Sequence, residues 1–297
     1  MTNINATLVK KLRDRTGTGV IDCKNALTET QGDFEAAVER LRAAEAAKAA
    51  KKVDRVAAEG LVSLRVEGGR GAMAELNTET DFVARTEAFQ TAAAAFARLA
   101  LSVRGDHVTL LNAPAPDGEG RVSDVIARLT ARTGERINLR RSAFVSVSPG
   151  IVASYLHNAA APGLGSIGVL VALESPGHAD TLRDIGHKIA MHVAASAPLW
   201  VSREDIPTEV VAQRRADLTE QAQKTGKPPD IVEKMVEGRM RKFYEEVVLR
   251  LQPFVLNPEQ RVDQVLKDAE QASGVPVAIK GFVRFRAGEG LEKRAEQ

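Results

Sequence analysis

The chain has 297 residues, of which 44% are hydrophobic, 27% charged and 4% aromatic, and its 41 basic and 39 acidic residues leave a net charge of +2. That length supports two or three domains with a sizeable core, and that charge balance argues against an extended phosphate-binding surface while leaving room for a local basic patch. The single cysteine, Cys23, excludes an intrachain disulfide and any multi-cysteine metal site.

The amino terminus, MTNINATLVKKLRD, is polar where a signal peptide carries its apolar stretch. The most apolar windows, SIGVLVALE and AAAAFARLALSV, are too short or too interrupted to span a bilayer, so a soluble, cytoplasmic protein is expected. Residues 5–47 read as three short helices. Leu8, Val9 and Leu12 give the first an apolar side, and TGTG at 16–19 breaks it. In the second, Val20, Cys23 and Leu27 share a side, whereas Ile21 falls among Lys24, Asn25 and Thr28. Gly32 precedes the third, which takes Asp33 as N-cap and spaces Phe34, Ala37, Val38 and Leu41 helically. The following alanine- and lysine-rich connector, RAAEAAKAAKKVDRVAAEG, is expected to be a solvated helical linker.

From Gly60 the period changes to two: GLVSLRVEGGRGAMAELN reads as strand, glycine turn, strand, and residues 86–103 as a helix. A similar order returns about ninety residues later, with GIVASYLH, a glycine-containing loop, SIGVLVALES and a helix near 179–196. An internal duplication of a strand–strand–helix unit follows, and with it an α+β fold class with antiparallel sheets. Between 208 and 249 two helices flank the turn KTGKPPD. The second is expected to open with Asp230 and Glu233 at capping-box spacing, and its Val232, Val236, Met240, Phe243 and Val247 make a narrow apolar stripe. The first has a thinner stripe, Val211, Leu218 and Ala222. This antiparallel hairpin fits either core helices or an arm that meets a partner. A helix near 258–272 and the strand PVAIKGFVRFRAG complete the chain.

A search for chemistry returns little. His187 and His192, five apart, lie roughly 140° apart around a helix and cannot chelate one metal together. Glu174 and His178 are four apart, but the intervening SPG argues against a helix, and neither His107 nor His157 adds a third ligand, so no metal site is expected. GGRG is a hairpin turn, and Gly163-Leu164-Gly165 does not open a helix as a dinucleotide fingerprint would. Cys23 reads as a small buried residue. No convergent titratable set supports a hydrolase or transferase. The scarcity of aromatics argues against the stacking surface that an RNA-binding or ribosome-associated protein would need. What stands out is apolar: Ile21 on a polar side, and Phe82 beside Asp81 in TETDFVAR, residues 78–85. Local pattern leaves Phe82 open between a core residue closing a strand end and an exposed wedge.

Four segments, TGTGVIDCKNAL, ELNTETDFVAR, KIAMHVAASAPLW and GKPPDIVEKMVEGRMRKF, resemble the translation elongation factor Ts family, in that family's order and over essentially the whole chain. The resemblance implies a nucleotide exchange factor, not an enzyme, that promotes GDP release from elongation factor Tu and needs no cofactor. It implies a ubiquitin-associated-like three-helix domain with linker at 1–54. A core N-subdomain would follow at 55–148, and a core C-subdomain at 149–297 carrying a helical hairpin at about 208–249. In the family, the aspartate and phenylalanine of the TDF motif reach the GTPase near its magnesium and phosphate site, so Thr80, Asp81, Phe82 and Val83 are the expected contact here. His157, from SYLHN, is expected to assist, and Arg13, Val20 and Ile21 to touch the GTPase domain. Direct nucleic-acid or membrane contact is not implied, and a homodimer or heterotetramer through the hairpin is left open. The ending RAGEGLEKRAEQ leaves no room for the extra C-terminal helical module that family members often carry, and the loop NAAAPGLGS after His157 is longer than the family's compact turn.

Overall fold

Three helices, α1 (Ala6–Thr16), α2 (Val20–Glu29) and α3 (Phe34–Ala50), open the structure, a computed structural model that describes residues 4–177 and 179–291. The readings placed on His178 and on the chain beyond 291 lie outside the described residues. Asn5 caps α1 by accepting from the Leu8 amide at 2.9 Å, Gly17 ends it in the left-handed region at φ +70°, and the Asp33 carboxylate accepts from the Ala36 amide at 3.0 Å. Val9, Leu12, Cys23, Ala26, Leu27, Ala37, Val38 and Leu41 form the small core between them. Val20 departs from the sequence reading: it is the first residue of α2, one turn short of the packed part, and it stands exposed instead of sharing the buried side of Cys23 and Leu27.

The connector is helical to Ala50 and mostly exposed along that helix, as expected of a solvated helical linker, with one buried exception. Helix α3 runs on to Ala50 and packs along α7 (Val122–Thr133), which buries Glu45. Burial pushes the Glu45 carboxyl above its usual range, against the opposing hydrogen bond from Thr18 Oγ1 at 3.0 Å.

The remaining elements form two copies of one plan. The first comprises β1 (Glu59–Glu67), β2 (Arg70–Thr78), α4 (Asp81–Ala84), α5 (Glu87–Ser102), α6 (His107–Asn112), α7 and β3 (Asn138–Ser146). The second comprises β4 (Gly150–His157), β5 (Leu164–Gly165), β6 (Ile167–Glu174), α8 (Ala179–Ser196), α9 (Thr208–Gln223), α10 (Pro229–Val247), β7 (Pro253–Phe254), β8 (Asn257–Arg261), α11 (Val262–Ser273) and β9 (Ala278–Arg286). The named strands pair antiparallel, in the orders β3-β2-β1-β5, β4-β6-β9 and β7-β8. The duplication reaches single residues. Gly60 and Gly150 both sit at φ +144°, and a Cβ at either would strike a carbonyl oxygen of the neighbouring strand, Leu76 or Leu173.

Period-two alternation assigns the faces. Leu61, Ala72, Ala74 and Leu76 point to α5, where Phe89, Phe96, Leu110, Val122 and Leu139 join them. Val62 and Met73 point the other way and meet Val152, Leu170 and Phe285 of the second sheet. Val169, Val171 and Leu173 then pack with Ile189, Val193 and Val262 beneath α8. The layers therefore run helix, sheet, sheet, helix.

A buried carboxylate ties the copies together. Glu75, fully buried on β2, accepts from Arg140 Nη1 at 3.1 Å, from Arg141 Nε, and from the Gly288 amide at 2.8 Å. Arg140 also donates to the Glu289 carbonyl at 2.6 Å and Arg141 to the Arg286 carbonyl at 3.1 Å, so the segment after β9 is strapped to the first sheet.

The hairpin α9–α10 has its own core of Leu218, Ala222, Val232, Val236 and Met240. Two expected boundaries move. Helix α10 begins at Pro229, whose fixed φ suits the first helical position, so Asp230 lies in the first turn and makes no capping box. Helix α11 begins at Val262 because residues 257–261 pair with β7 as a strand.

Candidate functional site

β2 ends at the fully buried Thr78, and α5 starts at Glu87, capped by Thr86. The intervening residues make the single turn α4, which is too short to hold itself by its own hydrogen bonds. An outside group fixes it. The Glu135 carboxylate accepts from Thr78 Oγ1 at 2.7 Å, from the Thr80 amide at 3.0 Å and from Thr80 Oγ1 at 2.6 Å. In return, Glu79 Oε1 accepts from the Arg136 amide at 2.6 Å and is reached by the Arg55 guanidinium at 3.4 Å.

On that support Phe82 is 79% exposed, the largest exposure among the described large hydrophobic residues. Asp81 stands beside it in an ion pair with Arg85 at 2.7 Å, a surface pair between residues one helical turn apart. The other two residues expected to face a partner turn inward. The Thr80 hydroxyl is given to Glu135, and Val83 is half-buried against the core under α5.

The N-terminal candidates lie on a different element. Ile21 is 75% exposed and Val20 53%, and Arg13 is exposed on α1. Ion pairs of Glu119 with Arg15 at 3.1 Å and Arg42 at 2.6 Å hold this unit against the loop before α7, and Lys52 donates to the Gly134 carbonyl, next to Glu135. His157, at the end of β4, is exposed, with Nδ1 3.2 Å from the Tyr155 hydroxyl, while Tyr155 also meets His187 edge-on at 5.5 Å between ring centroids. The structure thus brings residues 78–83 together with 135–136 and leaves Arg13 on α1, Val20 and Ile21 on α2 and His157 at the end of β4, each exposed.

Among the described residues no group of three or more His, Cys, Asp or Glu could hold a metal ion, and no helix is long and apolar enough to cross a membrane. Buried His192 sits in a satisfied network: its Nδ1 accepts from the Val255 amide at 3.1 Å and its Nε2 lies 2.9 Å from Gln252 Oε1. Burial lowers its pKa from the usual 6.5, with the Gln252 bond opposing. Cys23 is buried, and burial raises its thiol pKa. Two residues that the sequence did not single out, Glu135 and Arg85, hold the two ends of the displayed turn. Their partners can be found only once the fold places them, although Arg85 four residues after Asp81 was a visible helix-pair spacing.

Exposed apolar side chains on rigid supports are the layout of a docking surface, not of a catalytic pocket. The comparisons place the molecule among the translation elongation factors. A family model described as "Elongation factor TS" matches residues 79–289. The relatives include elongation factor Ts of Maricaulis maris, 53% identical over 300 residues that cover 100% of this chain and 96% of the relative. Elongation factor Ts of Parvibaculum lavamentivorans is 49% identical, covering 99% and 95%. Elongation factor Ts of Rhodospirillum rubrum is 50% identical, again covering 99% and 95%. The chain belongs to the elongation factor Ts family.

Proposed function

We propose that the protein binds elongation factor Tu and promotes release of its GDP, with Asp81 and Phe82 as the working pair. The observation that carries this reading is the exposure of Phe82 on a turn clasped to the fold. Such exchange needs no bond chemistry. A factor that binds the opened GTPase better than the closed one weakens nucleotide binding by the same factor, because linkage is reciprocal. The ring supplies apolar area to bury in a gap of the partner, worth about 1.5–3 kcal/mol. Asp81 delivers a carboxylate beside it, towards a magnesium ion whose octahedral shell tolerates little distortion. Its pairing with Arg85 opposes this little, since exposed pairs of this spacing are worth about 0.3–0.5 kcal/mol.

In this proposal Val20, Ile21 and Arg13 make a second contact with the GTPase and His157 assists near the first, and residues 1–54, 55–148 and 149–297 act as the three domains. The test is stopped-flow release of fluorescently labelled GDP from elongation factor Tu with and without the purified protein. Acceleration that saturates with protein concentration is expected; an unchanged release rate contradicts the proposal.

A further inference from the structure

We propose that Glu135 is the positioning residue of the displayed turn: it holds Thr80 so that Asp81 and Phe82 face outward before any partner arrives. This inference rests on the wedge reading above and adds what sets the wedge.

Helix α4 is one turn of four residues, and the side chain of its N-cap, Thr80, makes no capping bond. The hydroxyl that would cap it is instead bonded to Glu135, 55 residues away. Both oxygens of the carboxylate are used: Oε2 takes the Thr78 hydroxyl and the Thr80 amide, and Oε1 takes the Thr80 hydroxyl. Both sides of the clasp are anchored. Thr78 is the buried last residue of β2. Glu135 follows Gly134, the left-handed cap of α7 at φ +75°, and precedes buried Ile137, whose amide donates to Thr130 Oγ1 at 3.2 Å. The reciprocal bond from the Arg136 amide to Glu79 closes the ring from the other side. Charge-assisted hydrogen bonds of this kind are the strong ones, and this set locks the residue that immediately precedes Asp81. Without it the turn samples other orientations, and the working affinity falls with the fraction that remains competent.

A double-mutant cycle on GDP release from elongation factor Tu, using the full chain, separates positioning from general support. Glu135→Ala removes every bond of the carboxylate and is expected to cut the acceleration about 10-fold. Combined with Phe82→Ala it is expected to add less than about 2-fold to the loss from Phe82→Ala alone, because a badly aimed turn has no ring left to misplace. Glu135→Gln keeps the shape: its amide oxygen can take the Thr78 hydroxyl and the Thr80 amide, while its amide nitrogen donates to a rotated Thr80 hydroxyl. It is expected to restore most of the activity. Thr80→Val, which removes one hydroxyl at constant shape, gives an independent and smaller loss should Glu135→Ala fold poorly. Multiplicative losses in the double variant, or a Glu135→Gln protein as impaired as Glu135→Ala, overturn the positioning role while Phe82→Ala remains impaired. Wild-type exchange by Phe82→Ala sinks the wedge itself, and the positioning role with it.

Discussion

The two copies of the core are alike where they support and different where they display. In the first, the junction from β2 to α5 spans residues 79–86 and carries α4 with Phe82. In the second, the equivalent junction from β6 to α8 spans only residues 175–178. The second copy spends its extra length elsewhere: between α8 and β7 it carries the hairpin α9–α10, where the first has only α6. The strands, the paired glycines and the covering helices repeat, while α4 belongs to the first copy alone and the hairpin α9–α10 and the strand pair β7–β8 to the second. The duplicated frame holds these additions at fixed positions, and on the proposed reading the first of them carries the function.

The largest effect is expected from breaking the frame itself. Glu75→Leu leaves Arg140 and Arg141, both half-buried, without the Glu75 carboxylate, although Arg141 keeps Glu289 Oε2 at 3.8 Å, and it frees the Gly288 amide. A loss of about 2–3 kcal/mol in urea denaturation is expected, since charge-assisted hydrogen bonds are worth about 1.5–3 kcal/mol while water still reaches the two guanidinium groups. A change below about 1 kcal/mol means that the strap after β9 does not couple the copies.

The second copy anchors its insertion through His192, whose partner Gln252 donates to the Glu246 carbonyl at 2.6 Å, at the end of α10. The folded state holds His192 neutral, and burial depresses its pKa below 6.5. Its contribution is therefore complete above about 6.5 and is lost as pH falls from there through the lower folded value. Melting followed from pH 8 to 5.5 is expected to be level and then to decline, and the decline is expected to vanish in His192→Gln. A wild-type protein that is flat across the whole range contradicts this.

The smallest effect sharpens the contrast. Removing residues 214–238 and closing the gap with a short glycine linker takes away most of the hairpin's own core but leaves its base. Melting of the remainder is expected to shift by less than about 4 °C, near 1 kcal/mol for a protein of this size. Insolubility or loss of the native circular dichroism would place the hairpin inside the common frame.

Much of this frame was legible in the sequence and part was not. β1, β2, α5, β4, β6 and α8 announce themselves through alternation followed by helical spacing. β3 escapes notice for a physical reason. Arg140 and Arg141 interrupt the alternation of β3 because they serve Glu75, and that carboxylate, buried on β2, reads locally as a surface residue. Helix α7, in contrast, sets Val122, Val125, Ile126 and Leu129 at helical spacing, so its signal was present in the sequence. At the site, the oddity of Ile21 could be read from helical spacing, and the choice between core and surface for Phe82 could not. Exposure there is decided by Glu135, a long-range partner that no local pattern predicts.

On the proposed reading Phe82 does its work only against a partner. Stopped-flow GDP release from elongation factor Tu by Phe82→Ala, with melting followed in parallel, tests it most directly. Burying one phenylalanine is worth about 1.5–3 kcal/mol, so the acceleration is expected to fall about 10- to 150-fold, while an exposed ring costs the free protein almost nothing on removal. Normal exchange, or a melting temperature lowered as for a core phenylalanine, about 3–5 kcal/mol, would contradict it.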